Sequence, residues 1–137
     1  MRFYIAADTA SFDHAREVSA VLTRNGHEQT YDQMANGDIR RDGAERMSGV
    51  SFNQTRAVRD AELVIALLPG GQDMHTELGV AIASRSNKRV ILWSESGDEF
   101  MPDERTCVFY FHPYLERLVC PFDELLTILD TDRIDII

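Results

Sequence analysis

The chain has 137 residues, 44% hydrophobic and 27% charged, with 23 acidic against 14 basic side chains and a net charge of −9. That length points to one domain, 1–137, large enough to bury a core without disulfides or a structural metal. The acidic balance offers no basic stripe to a nucleic-acid polymer, and no apolar run approaches the ~20 residues of a membrane span.

The first residues, Met1-Arg2-Phe3-Tyr4-Ile5-Ala6, run directly into an apolar strand pattern and not a signal peptide, so a cytoplasmic protein is expected. Arg2 to Ala7 is predicted as a central strand. Ser11 to Asn25 carries Phe12, Ala15, Val18, Val21 and Leu22 at helical spacing and is ended by Gly26. His27 to Tyr31 is predicted as a weaker strand near a sheet edge, and Asp32 to Gly43, polar with two glycines, as a loop. Ala44 to Arg59 has a helical but mostly polar pattern. Ala61 to Leu68 is the most hydrophobic segment, predicted as a strand buried on both faces and stopped by Pro69-Gly70-Gly71.

Beyond that punctuation, Glu77 to Ser84 places Leu78, Ala81 and Ile82 on one helical face, and Arg89 to Trp93 is another buried strand. Val108 to Phe111 is predicted as the fifth strand and Phe122 to Leu129 as the closing helix. Cys107 and Cys120 lack the CxxC or His/Cys spacing of a zinc site and are expected as buried free thiols. The apolar end Ile134-Asp135-Ile136-Ile137 suits packing against a partner or closure of the chain's own sheet.

Alternating strands and helices predict an α/β fold, an open flavodoxin-like or Rossmann-like sheet of five parallel strands with helices on both faces. Such sheets bind ligands beyond the strand C-termini at the topological switch point. That rule brings Ala7-Asp8 together with Pro69 to Glu77.

The segment Leu67-Leu68-Pro69-Gly70-Gly71-Gln72-Asp73-Met74-His75-Thr76-Glu77-Leu78-Gly79 carries the chemistry. Glycines between a buried strand and a helix let backbone N–H groups face an anion or a sugar hydroxyl, although Gly70-Gly71 also suits a plain tight turn. Glu77 is expected in the first helical turn, where the dipole keeps it ionised. There it is either a nucleophile or only a favourable first-turn acid.

An opening R-F-Y-I-A strand, an apolar strand ending L-L-P-G-G, then H-T-E-L-G-V-A-I-A and K-R-V-I-L-W resemble the nucleoside 2-deoxyribosyltransferase superfamily, which includes nucleoside 5′-monophosphate N-glycosidases. The resemblance spans Met1 to about Leu129. It implies that Glu77 is the nucleophile that attacks the anomeric carbon and displaces the base, as in a retaining glycosidase. It also implies that Tyr4, on the first strand, orients that carboxylate; its plain alternative is a core aromatic.

Two features depart from the family pattern. Gln54 stands where well-known members carry an Asp that helps protonate the base. An amide cannot be a general acid, so Gln54 can only bind a base edge, and acid help must come from Asp73, His75 or water. Asp60, the other carboxylate near that position, suits a solvated helix end. The family's glycine-rich start is replaced by Ala6-Ala7-Asp8-Thr9-Ala10-Ser11, where Asp8 binds a ribose hydroxyl or caps the following helix. His75, in an H-T-E order, suits donation to a base or a phosphate, or plain solvation. Tyr31-Asp32 are candidates for the base pocket.

Asp73, His75 and Glu77 alternate across a loop–helix junction and give no helical pair of ligands, so no metal is expected, and no cofactor. The expected partner is a small nucleoside or nucleotide, and the resemblance implies a homodimer or higher homo-oligomer. Hydrolysis or base transfer, nucleoside or 5′-monophosphate, stay open. So do a nucleotide-sensing module without turnover and a hydrolase of an NAD-like nicotinamide riboside bond, whose cationic base leaves unprotonated.

Overall fold

Period-two alternation in three buried strands sets the layers. In the computed structural model, which describes residues 1–131, Phe3 and Ile5 of β1 (Arg2–Ala6), Leu63, Ile65 and Leu67 of β3 (Leu63–Leu67), and Ile91 and Trp93 of β4 (Arg89–Ser94) face one side. Tyr4, Ala6, Val64, Ala66, Val90 and Leu92 face the other. Because successive strand side chains point to opposite faces, each strand supplies two cores at once, which is why these segments read as unbroken apolar runs.

Helix α1 (Phe12–Arg24) and helix α4 (Phe122–Asp130) cover the first face. Helix α2 (Ala44–Asp60) and helix α3 (Gln72–Ala83) cover the second. With β2 (Glu28–Gln29) and β5 (Leu115–Val119), the strands form one parallel sheet in the order β2-β1-β3-β4-β5. The α/β flavodoxin-like architecture is therefore as the alternation predicts. The chain leaves β1 toward one face and β3 toward the other, so their C-terminal ends form the switch-point crevice. Among the described residues no helix is long and apolar enough to cross a membrane.

Several elements differ from the sequence reading. Val108–Phe111 is a 3₁₀ turn that buries Tyr110 and leaves Val108, Phe109 and Phe111 exposed, so its apolar run is not a strand. The fifth strand is Leu115–Val119, whose half-buried pattern and Arg117 and Glu116 side chains suit a sheet edge. β2 pairs only over Glu28 and Gln29. The Asp32–Gly43 stretch contains a 3₁₀ turn at Gln33–Asn36. Both cysteines are free, but Cys107 is only half-buried while Cys120 is buried. Ile134-Asp135-Ile136-Ile137 lie outside the described residues.

The largest correction concerns α3, which begins at Gln72 and not at Glu77. Gly71 occupies its N-cap without a side-chain cap of its own. The missing acceptor comes from elsewhere in the chain: Asp8 Oδ1, at the end of β1, accepts the Met74 N–H at 3.2 Å. A local reading finds no cap before Gln72 because the cap arrives from the other side of the crevice.

Candidate active site

Helix α3 buries Met74, Glu77, Leu78 and Ala81, the stripe expected where a helix lies on a sheet. Glu77 thus occupies a core position in the second turn, only 6% exposed. Neither the free N–H groups nor the dipole of the first turn reaches it as the sequence reading expects. Desolvation pushes its carboxyl up to about 8, with the negative charges of Asp73 and Asp8 adding to the rise and hydrogen bonds from Tyr4 and Gln33 opposing it. Glu77 is therefore shifted toward its protonated form at neutral pH, contrary to the ionised state expected from a first-turn position.

The two carboxyl oxygens differ. Oε2 accepts a hydrogen bond from the Tyr4 hydroxyl on β1 and a longer one, 3.4 Å, from Gln33 Nε2. Oε1 is buried with no hydrogen-bond partner in the protein. A buried polar atom left unpaired costs about 1–3 kcal/mol, so it marks a place where the fold tolerates a penalty. Tyr4 is fully buried, and burial together with the Glu77 charge raises its hydroxyl far above the ordinary phenol range. It stays a donor at any working pH.

Gln33 explains how a loop residue joins this pair. β2 is too short to satisfy the Ile5 carbonyl of β1, and Gln33 Nε2 donates to it at 2.8 Å. Its own amide oxygen accepts from Gln54 Nε2 at 3.0 Å. Gln54 on α2, Gln33, Glu77 and Tyr4 therefore form one connected chain of side chains.

Gln33 and Gln54 also line a cavity of about 50 Å³, together with Asp8, Asp73, Arg40 and neighbours from the loops. Arg40 Nη2 lies 2.6 Å from Asp73 Oδ2, and Arg40 Nη1 lies 3.0 Å from Asp38 Oδ1. Gly71 lets Asp8 come close: a Cβ at residue 71 would stand 2.6 Å from Asp8 Oδ2.

A second, larger cavity of about 300 Å³ lies beside Gly70 and His75 and is lined also by Arg105, Cys107 and Tyr110. His75 Nε2 and the Tyr110 hydroxyl are 2.6 Å apart. Burial pushes that hydroxyl up to about 12.

Of the residues singled out from sequence, the fold brings Glu77 and Tyr4 into contact and joins Gln54 to them through Gln33. It sets Asp8 and Asp73 on the same cavity and Gly71 against Asp8. Gly70 and His75 face the second cavity. Asp8 does not cap the helix that follows it; it caps α3. Tyr31 accepts from Asn36 Nδ2 at 2.8 Å and Asp32 lines a groove with Arg16, so neither belongs to the first cavity.

The sequence reading missed Gln33, Arg40 and Tyr110. Gln33, next to Tyr31-Asp32, shows no local signal beyond being an amide in a polar loop. Arg40 belongs to the only cluster of basic residues in that loop, with Arg41. Tyr110 lay inside the run read as a strand.

No protein-family profile matches the chain, and no characterised protein matches it in sequence. Among solved structures it is similar in fold to a CMP N-glycosidase of Clostridium botulinum, BcmB, with a TM-score of 0.65 and 17% identity, covering 96% of this chain and 100% of that one.

Proposed function

We propose that the protein cleaves the N-glycosidic bond of a nucleoside or nucleoside 5′-monophosphate, with Glu77 as nucleophile. The observation that carries this reading is the buried Glu77 carboxyl, one oxygen gripped by Tyr4 and Gln33 and the other unpartnered. A core helix position with a carboxyl group costs stability, and such strain accumulates at sites of chemistry. The fold likeness to an enzyme described as a CMP N-glycosidase supports the same reading.

Once ionised, Glu77 bonds through Oε1 to the anomeric carbon as the C1′–N bond breaks, and that bond's electron pair leaves with the base. Tyr4 and Gln33 hold Oε2, fixing the carboxylate plane and spreading its charge. In the second half, water bonds to C1′, the ester C–O bond breaks, its electron pair returns to Glu77, and the water's proton passes to solvent. With a second base in place of water, the same intermediate yields transfer. The Arg40–Asp73 bridge lies in the wall of the cavity. Both side chains are about half exposed, 48% and 60%, and an ion pair so placed is weak and easily exchanged for water.

The test is chromatography of free base after incubation of wild type and Glu77→Gln with mixed nucleosides, their 5′-monophosphates and NAD, with and without an acceptor base. Base release by wild type alone supports the reading. Ligand-induced thermal stabilisation without release in either protein overturns it in favour of a binding module.

A further inference from the structure

Resting on the glycosidic reading of Glu77, the charge and chemistry around the first cavity point to one class of substrate. We propose that it takes an N-riboside whose base is positively charged and whose sugar carries no 5′-phosphate.

Charge is the first argument. Asp8 and Asp73 both line the cavity, and Arg40, the one cationic side chain among its lining residues, is shared between Asp73 at 2.6 Å and Asp38 at 3.0 Å. The cavity therefore has a negative balance before Glu77 is counted. A phosphate placed there meets two carboxylates and an arginine already shared between one of them and Asp38, whereas a cation meets attraction from each carboxylate.

The second argument concerns the leaving group. Gln33 and Gln54 line the cavity, and an amide has no proton to give to a departing base; Asp73, the carboxyl beside them, is bonded at 2.6 Å to the Arg40 guanidinium. His75, the imidazole nearest in sequence, lines the other cavity beside Tyr110. A neutral pyrimidine or purine leaves poorly without a proton. A cationic base needs none: when C1′–N breaks, the electron pair neutralises its ring nitrogen and it departs uncharged.

The nucleophile supplies the third. The groups facing Glu77 are Tyr4 from β1, Gln33 from the loop after β2, and the charges of Asp8 and Asp73. None of them is a cation, and burial holds the carboxyl up at about 8. A positive base brought into the cavity supplies the missing charge, so Glu77 loses its proton to water as the substrate binds. The unpartnered Oε1 then attacks only when a suitable substrate is present.

The test compares nicotinamide riboside and N7-methylguanosine with uridine, cytidine and nicotinamide mononucleotide. Cationic ribosides are intrinsically labile, so binding is measured as well, by calorimetry on the folded but inactive Glu77→Gln protein. Wild type is expected to release base from the two cationic ribosides with kcat/KM about 100-fold above that for uridine. Glu77→Gln is expected to bind nicotinamide riboside about 10-fold tighter than either uridine or nicotinamide mononucleotide, a margin that Asp73→Asn reduces. Equal or tighter binding of uridine or of the phosphorylated form overturns the charge assignment, and Glu77-dependent cleavage of uridine, cytidine or a monophosphate at the higher rate does so while leaving the glycosidic reading intact. No base release from any of these compounds overturns both.

Discussion

Two cavities flank the Pro69-Gly70-Gly71 turn, and they are built on opposite principles. The one beside His75 and Tyr110 has about 300 Å³ and a direct contact between its two aromatic polar groups. The one beside Asp8 and Asp73 has about 50 Å³, yet its walls connect through Gln54 and Gln33 to a buried carboxyl with an unsatisfied oxygen. The larger space is satisfied and the smaller one is not. A pocket's size measures room, while an unpaired buried charge-bearing group measures a cost that the fold retains, and the second is the better guide to chemistry.

The sharpest way to break this comparison is Glu77→Gln. It preserves shape and removes the proposed nucleophile, so base release should fall by about 10³-fold or more. Stability should move the other way. The Glu77 pKa is raised on folding from near 4.5 to about 8, so between those values the folded protein holds a proton that the unfolded chain has lost. Wild-type stability then decreases as pH rises through that window, with a limiting slope of about 1.4 kcal/mol per pH unit, and Glu77→Gln removes that slope. Urea unfolding from pH 5 to 8.5 checks it; parallel wild-type and variant curves would show Glu77 ionised throughout and return it to the role of a surface-like acid. On the kinetic side, kcat/KM should climb toward a plateau above about pH 8.

Tyr4→Phe comes next. It removes the Oε2 donor and leaves only the longer Gln33 contact, while the ring still fills the core on the second sheet face. One lost charge-assisted hydrogen bond predicts a drop in kcat of about 10- to 100-fold, with the kcat/KM pH limb moved upward because Tyr4 helps hold the Glu77 pKa down. An unmoved limb would mean that Tyr4 is a core aromatic and nothing more.

Gly71→Ala tests whether the two sides of the crevice are physically coupled. The new Cβ would stand 2.6 Å from Asp8 Oδ2, so Asp8 must withdraw from the Met74 N–H that it caps. Overpacking and the lost cap predict a loss of about 1–3 kcal/mol, read as a lower midpoint in urea. Asp8→Asn, which keeps an acceptor oxygen, should lose less.

The sheet was legible because β1, β3 and β4 are apolar on both faces, and the switch-point rule then placed Asp8 opposite the Pro69-Gly70-Gly71 turn. Motif likeness singled out Glu77 and Tyr4, and the fold brings the two side chains into contact. What escaped was non-local. The start of α3 depends on a cap supplied by Asp8 from another loop, so the helix reads five residues too short and Glu77 appears in a first turn it does not occupy. Gln33 enters only because β2 ends early and leaves the Ile5 carbonyl to be filled. The V-F-Y-F run misled for the opposite reason: its hydrophobicity is strong, but only Tyr110 turns inward. The edge strand that takes its place has too weak a pattern to compete.

The smallest effect is expected in the larger cavity. Tyr110→Phe removes the hydroxyl that lies 2.6 Å from His75 Nε2, at a position 6% exposed, and leaves the ring packed against Phe100. One neutral hydrogen bond predicts about 1 kcal/mol of lost stability, while kcat/KM for base release should change less than about 3-fold because neither residue lines the cavity joined to Glu77. His75→Ala should behave alike, and the double variant should lose little more than either single one if the pair acts only through its mutual contact. A loss of activity above about 30-fold in Tyr110→Phe, with its stability within the expected range, would move proton delivery to the second cavity. The larger space would then be part of the reaction, and the contrast between a satisfied cavity and a chemically charged one would fail at its stronger end.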